Sequence, residues 1–348
     1  MKLGLSIKNE TCRNSTSLEN IGTIQLENGE YFVTLNEKTN TIYVSNNLSD
    51  SILVIDGTAK KIICRIQIER PRELALNSNN NTLYAINGKA GFWKTDEGAQ
   101  ISVIDTSTNK IIDSIGKKEG FGDIKLNKNT NLLYATQTKE KKIWVIDTLT
   151  NTVKDKIKGR VKYRSITIDE INNMIYIVGR GGRTNDSTVF EVIDGKNNHV
   201  EKIVSKFYFS GRSVSELYYN QTNKKLYAFV KEPGTSDGFF EGTSFYIQEI
   251  DLESKSFGNK TRPRGIQNGM GFDPSRNYLY ISDVDNGEFS VFNHSLKEIG
   301  LFRFTEEIDF VDKYLKGHTY HSKIAINSHL QLIYIAGSKM NLLHTIKE

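Results

Sequence analysis

The stretch Val103–Ile115 reads VIDTSTNKIIDSI, and Val145–Ile157 reads VIDTLTNTVKDKI, 42 residues further on. Self-similarity at a period of about 40–50 residues restricts a chain to a propeller or a solenoid more tightly than any bulk property does. The Val-Ile-Asp phrase recurs at Val54–Asp56, Val103–Asp105, Val145–Asp147 and Val192–Asp194, with weaker copies at Glu249–Asp251 and Val291–Asn293. A second phrase centred on Ile-Tyr or Leu-Tyr precedes each of them and appears once more near the end. Its tyrosines are Tyr43, Tyr84, Tyr134, Tyr176, Tyr227, Tyr280 and Tyr334, so the chain holds seven copies.

Each copy contains four short runs rich in β-branched and aromatic residues, separated by Asn, Thr and Gly. In the third copy the runs are GDIKLN, LLYAT, KIWVID and TVKDKI. Asn and Gly suit the connections because they bond their own backbone or tolerate left-handed conformations. Four antiparallel strands repeated radially are the blades of a β-propeller. The strand count also predicts how the last blade is completed. The seventh copy supplies only HSKIAIN, LIYIAG and NLLHTIK, while IGTIQL (Ile21–Leu26) lies ahead of the first full copy. The extra N-terminal strand is therefore expected to complete blade seven and remove a free sheet edge.

The expected fold is all-β, a seven-bladed β-propeller forming a single domain over 1–348. The expected parts are an extension at 1–17, a closing strand at 18–27, and blades near 28–68, 69–116, 117–159, 160–205, 206–261, 262–305 and 306–348.

These phrases resemble the YVTN-type β-propeller repeats, whose signature runs LYVAN…VSVIDTATNKVV; the segment IYVSNNLSDSILVIDGTAKKII is a close match. The resemblance covers nearly the whole chain from Ile21. That family includes exported and cell-surface proteins of archaea and bacteria, so the resemblance implies an extracytoplasmic or cell-surface location. More distantly the chain resembles streptogramin B lyases and metal-dependent oxidoreductases built on seven blades. No local motif carries over the lyases' His/Glu catalytic set.

Composition is that of a soluble globular protein, with 37% hydrophobic and 25% charged residues. No apolar run reaches the ~18 residues that span a bilayer. The opening stretch MKLGLSIKNETCRNST lacks the apolar core of an export signal, which leaves two readings: a cytoplasmic protein, or a chain whose signal lies upstream of this sequence. The two cysteines, Cys12 and Cys64, are either unpaired thiols or a single disulfide.

In a propeller the first strand of each blade lines a central channel. These strands are expected to end at Asn36, Asn77, Asn127, Asp169, Asn220, Asp273 and Asn327. Counting back four residues places Glu73, Asp123 and Glu216 toward the channel. Three carboxylates there form a candidate site for a hard cation, calcium above all, since such ions take oxygen ligands. The other reading is a charge-balanced channel in which Lys125 and Lys323 offset them. No other cofactor is expected.

The segments entering the first strands are basic. Nine of the thirteen arginines fall there or in the loop Gly179–Asp186, which is expected on the same face, among them Arg72, Arg164, Arg180, Arg212 and Arg264. Arginine offers a planar, permanently charged fork suited to carboxylate or phosphate. With His318 and His321 at the same lip, these residues form the candidate ligand site. The predicted partner is an anionic small molecule or an acidic protein surface, bound by a monomer without catalysis. The alternative is an enzyme at the channel mouth, lyase-like or metal-dependent, using His321 with neighbouring Glu and Arg. Nucleic acid is not favoured, because net charge is only +5 and aromatics do not interleave with the basic residues.

Overall fold

The computed structural model of the 348-residue chain describes residues 18–27, 29, 31–88, 98–137, 139–181, 187–207, 213–232, 244–254, 256–263, 269–283, 288–303, 322–337 and 342–347. Among the described residues there are 28 strands and no helix, in seven four-stranded antiparallel sheets. A first strand, β1 (Glu19–Gln25), precedes blade 1, which is β2 (Tyr31–Asn36), β3 (Thr41–Asn46), β4 (Ser51–Asp56) and β5 (Lys61–Gln67). Blade 2 is β6 (Leu74–Asn77), β7 (Thr82–Asn87), β8 (Gln100–Asp105) and β9 (Lys110–Ile115). Blade 3 is β10 (Ile124–Asn127), β11 (Leu132–Gln137), β12 (Lys142–Asp147) and β13 (Thr152–Lys158). Blade 4 is β14 (Lys162–Asp169), β15 (Met174–Gly181), β16 (Ser187–Asp194) and β17 (His199–Phe207). Blade 5 is β18 (Ser213–Asn220), β19 (Lys225–Glu232), β20 (Ser244–Asp251) and β21 (Ser256–Thr261). Blade 6 is β22 (Gly269–Asp273), β23 (Tyr278–Asp283), β24 (Glu288–Phe292) and β25 (Glu298–Arg303). Blade 7 holds β26 (Ser322–Asn327), β27 (Leu332–Gly337) and β28 (Leu342–Lys347).

The first strands end at the seven Asn and Asp residues expected from the repeat. The missing strand of blade 7 is β1, which gives the sheet order β1-β28-β27-β26. β1 runs antiparallel to β28, from Glu19 opposite Lys347 to Gln25 opposite Leu342, with a bulge between Asn20 and Gly22. It carries Ile24, and the residue that follows it carries Leu26, into the core at 8% and 4% exposure.

Contacts divide the chain into two compact units, Ile66–Arg262 and Met1–Arg65 with Pro263–Glu348. Within the unit Ile66–Arg262, three apolar clusters join successive blades. One packs Ile101, Val103 and Tyr84 of blade 2 against Ile124, Leu133 and Trp144 of blade 3. A second packs Tyr134 and Val145 of blade 3 against Tyr163, Ile166 and Ile193 of blade 4. The third packs Phe190 and Val192 against Leu217, Tyr246 and Ile250 of blade 5. In the other unit, Tyr31, Val44 and Leu53 pack with Tyr334 and Leu343. There Tyr280 and Phe289 also pack with Ile333 and Ile346.

The repeated asparagines have two tasks. Those ending the first strands accept a backbone N–H two residues on, as from Asn79 to Asn77 (3.1 Å) and from Asn129 to Asn127 (3.0 Å). This turn chemistry stops the strand. The same side chains donate to an Asn of the next blade: Asn127 to Asn173 at 2.7 Å and Asn327 to Asn40 at 3.0 Å. Those acceptors precede the second strands at φ of 52° for Asn40, 55° for Asn131 and 56° for Asn173, a conformation that Asn tolerates better than most residues. The repeat tyrosines join the latch, since Tyr334 donates to Asn40 at 2.8 Å and Tyr134 to Asn173 at 3.4 Å.

Candidate functional site

The basic segment entering β14 carries Arg160, Lys162 and Arg164. Its alternation comes from packing. Val161 and Tyr163 are buried among the blade 3 and blade 4 core residues, so Arg160, Lys162 and Arg164 point outward and are exposed. At ~3.3 Å per residue, three cations on alternate positions span about 13 Å. Arg164 is the extra residue of a bulge, because Tyr163 pairs with Gly179 and Ser165 with Val178. The backbone of Arg180 sits opposite Lys162, so two arginines predicted for the site lie on paired strands of one blade.

A buried carboxylate holds this segment. Glu191, in β16, is fully buried and accepts the Arg160 backbone N–H at 2.7 Å. The Tyr163 hydroxyl approaches its other oxygen at 3.4 Å. Burial pushes the Glu191 carboxyl above its ordinary value, against the opposing pull of the Arg160 N–H, the Tyr163 hydroxyl and the Val161 N–H. The Tyr163 hydroxyl is itself pushed up by burial and by Glu191. The chain passes so close here that a Cβ at Gly159 would stand 1.6 Å from the Tyr163 oxygen and 2.6 Å from Glu191. Glu191 was not singled out in the sequence. The available signal was a charged residue in VFEVID, at the position that is Leu53 in blade 1 and Trp144 in blade 3.

Arg72 has a different setting from Arg164. It is half-buried, and its guanidinium donates to the Phe121 carbonyl at 3.1 Å, tying the entry of blade 2 to that of blade 3. The Arg180 side chain, Arg212, Arg264, His318 and His321 lie outside the described residues. So does Cys12, while Cys64 is a half-buried free thiol in β5 that burial pushes up.

Glu73, Asp123 and Glu216 are all described, and among the described residues no three His, Cys, Asp or Glu side chains are grouped to hold a metal ion. Asp123 is 8% exposed and both its oxygens are engaged. One pairs with Lys125 at 3.1 Å and the other accepts the Ile166 N–H at 3.1 Å. Neighbouring positions behave alike: Ser165 accepts the Leu217 N–H and Thr167 the Tyr219 N–H, each at 3.1 Å. Asp123, Ser165 and Thr167 are thus buried and bonded between blades. The physical reason is that the first strands β14 and β18 present N–H groups along one edge, and the preceding blade supplies the acceptors. The Asp123–Lys125 pair matches the charge-balanced reading.

No protein-family model matches the chain, and no curated protein matches it. Solved structures do. The chain is similar to the hydrazine synthase of Kuenenia stuttgartiensis at a TM-score of 0.73 and 14% identity, over 93% of this chain and 97% of that one. It is also similar to the β-propeller domain of Myceliophthora thermophila Cps50 (Swd1), at a TM-score of 0.67 and 11% identity, over 95% and 99%. At such identities the likeness carries the fold alone, a seven-bladed β-propeller.

Proposed function

We propose that this protein is a non-enzymatic recognition propeller that binds an anionic ligand or an acidic protein surface along the entry to β14. The carrying observation is the exposed alternation of Arg160, Lys162 and Arg164 on a backbone pinned by the buried Glu191. A stiff row of cations favours a partner with repeated negative charge, because little ordering entropy is lost when it binds. Arginine adds bidentate geometry toward carboxylate and phosphate. The propeller fold is compatible with a binding or scaffold role, and among the described residues no helix is long and apolar enough to cross a membrane.

The test uses poly-L-glutamate as probe, with duplex DNA as a second arm. Changing Arg160, Lys162 and Arg164 together to Ala leaves the fold intact, because these side chains are exposed and the Arg160 N–H to Glu191 is kept. Wild type binds poly-L-glutamate in a salt-dependent manner, and the triple variant binds about tenfold more weakly with a flatter salt response. Equal binding and equal salt dependence in the two proteins overturn the assignment. A preference for DNA over poly-L-glutamate redirects it to nucleic acid.

A further inference from the structure

We propose that blade 2 carries a second, independent binding site, a polar groove that takes a neutral polyhydroxylated ligand of the oligosaccharide class. The groove has a volume of about 720 Å³, within the ~300–1,000 Å³ range of small-ligand sites. Its origin is a substitution within the repeat. The residue just before each Val-Ile-Asp phrase or its counterpart lies on the third strand opposite the residue after the repeat Tyr, or its neighbour in register. Five blades place a large side chain there: Leu53, Trp144, Glu191, Gln248 and His344. Blades 2 and 6 place serine, at Ser102 and Ser290. In blade 6 the partner on the fourth strand is Leu301, whereas in blade 2 it is a second serine, Ser114.

Comparison with blade 3 shows what the two serines leave out. There Trp144 donates its indole N–H to Gln137 at 3.2 Å, and Lys156 caps the indole ring at 3.6 Å. In the equivalent places of blade 2, Ser102 donates to Asn87 at 2.7 Å and Ser114 replaces the lysine. The hydrogen bond is kept while the indole and its cap are gone. Asn87 and Ser102, buried at 4% and 2% exposure, form the floor of the groove, and the exposed Gln67 with the half-buried Gln100 and Ser114 offer the accessible polar groups.

The lining chemistry selects the ligand class. Amides and hydroxyls donate and accept without charge, which is the pattern that sugar hydroxyls require. Ile111 and Ile112 are exposed at 44% and 57% and add an apolar wall for the C–H face of a sugar ring. The charged residues of the groove are Glu69 and Asp113 against Lys117, which gives no field favouring an anion. The groove shares no residue with the basic row of blade 4.

The experiment fills the groove with blade 3's own solution. Ser102→Trp combined with Asn87→Gln rebuilds a pair that this chain already accommodates. Cellotetraose, maltotetraose and chitotetraose are titrated calorimetrically into wild type, the filled variant and the Arg160/Lys162/Arg164 alanine variant. Wild type binds at least one of them saturably. The filled variant, its folding checked by melting, loses that binding at least tenfold, and the alanine variant keeps it. Should the filled variant fail to fold, Gln100→Ala with Ser114→Ala is read instead, and the same loss is expected. Absence of binding to all three probes overturns the proposal, as does binding that the groove variants leave unchanged.

Discussion

Acid should weaken blade 7 through one buried imidazole. His344 lies in β28, fully buried, between Thr23 of β1 and Ile335 of β27 in the sheet register. Its Nδ1 is 3.5 Å from the Asn20 amide of the closing strand. Burial pushes its pKa down to about 4 from an ordinary 6.5. The folded protein therefore keeps this ring neutral at acidities where the unfolded chain has already taken a proton. Below about pH 6.5 the unfolded state binds the extra proton, so stability falls as pH falls and the loss levels off only below about pH 4. The full span corresponds to about 3 kcal/mol, of which about 2 kcal/mol is lost by pH 5. Urea unfolding of wild type and His344→Leu at pH 7 and pH 5 isolates this contribution from all other titrations. The wild type should lose about 2 kcal/mol more than the variant over that interval. Protection of the 342–347 amides, taken relative to their intrinsic exchange rate at each pH, should fall in acid in the wild type only. Equal pH dependence in the two proteins would refute a buried neutral histidine at this strand.

Removing residues 1–27 should leave the edge of β28 unpaired and produce aggregation or a large fall in melting temperature, measured by light scattering during a thermal ramp. Trp144→Ala should cost about 3–5 kcal/mol in urea unfolding, because it removes the edge contact with Phe121, the bond to Gln137 and the support for Lys156. Glu191 has the opposite linkage to His344. Its folded carboxyl titrates above the unfolded one, so its contribution to stability falls as pH rises through the folded value, and Glu191→Gln should flatten that limb of the stability–pH curve. Calcium and chelator should give superimposable melting curves, since Asp123 already bonds Lys125 and Ile166; a calcium-dependent rise would restore a cation site.

Much of the fold was legible in the chain because its information is local. A Tyr phrase, a Val-Ile-Asp phrase and Asn-rich turns specify four strands and their ends without reference to distant residues. Counting them was enough to assign Ile21–Leu26 to the last blade. The candidate site was legible only as composition. Arginines were seen to gather at the strand entries, but sequence could not separate Arg72, whose guanidinium is bonded to Phe121, from Arg164, which a bulge turns outward. That difference depends on a backbone carbonyl from another blade and on one unpaired residue in a register. Asp123, Ser165 and Thr167 have the alternation of channel-facing residues. They are buried because the neighbouring strand edge presents N–H groups that need acceptors. The roles of Glu191, His344 and the Ser102–Ser114 pair come from tertiary structure alone. All three blades satisfy the same repeat, and only the strand laid opposite decides whether that position holds a buried carboxyl, a buried imidazole or the small serine that floors a groove.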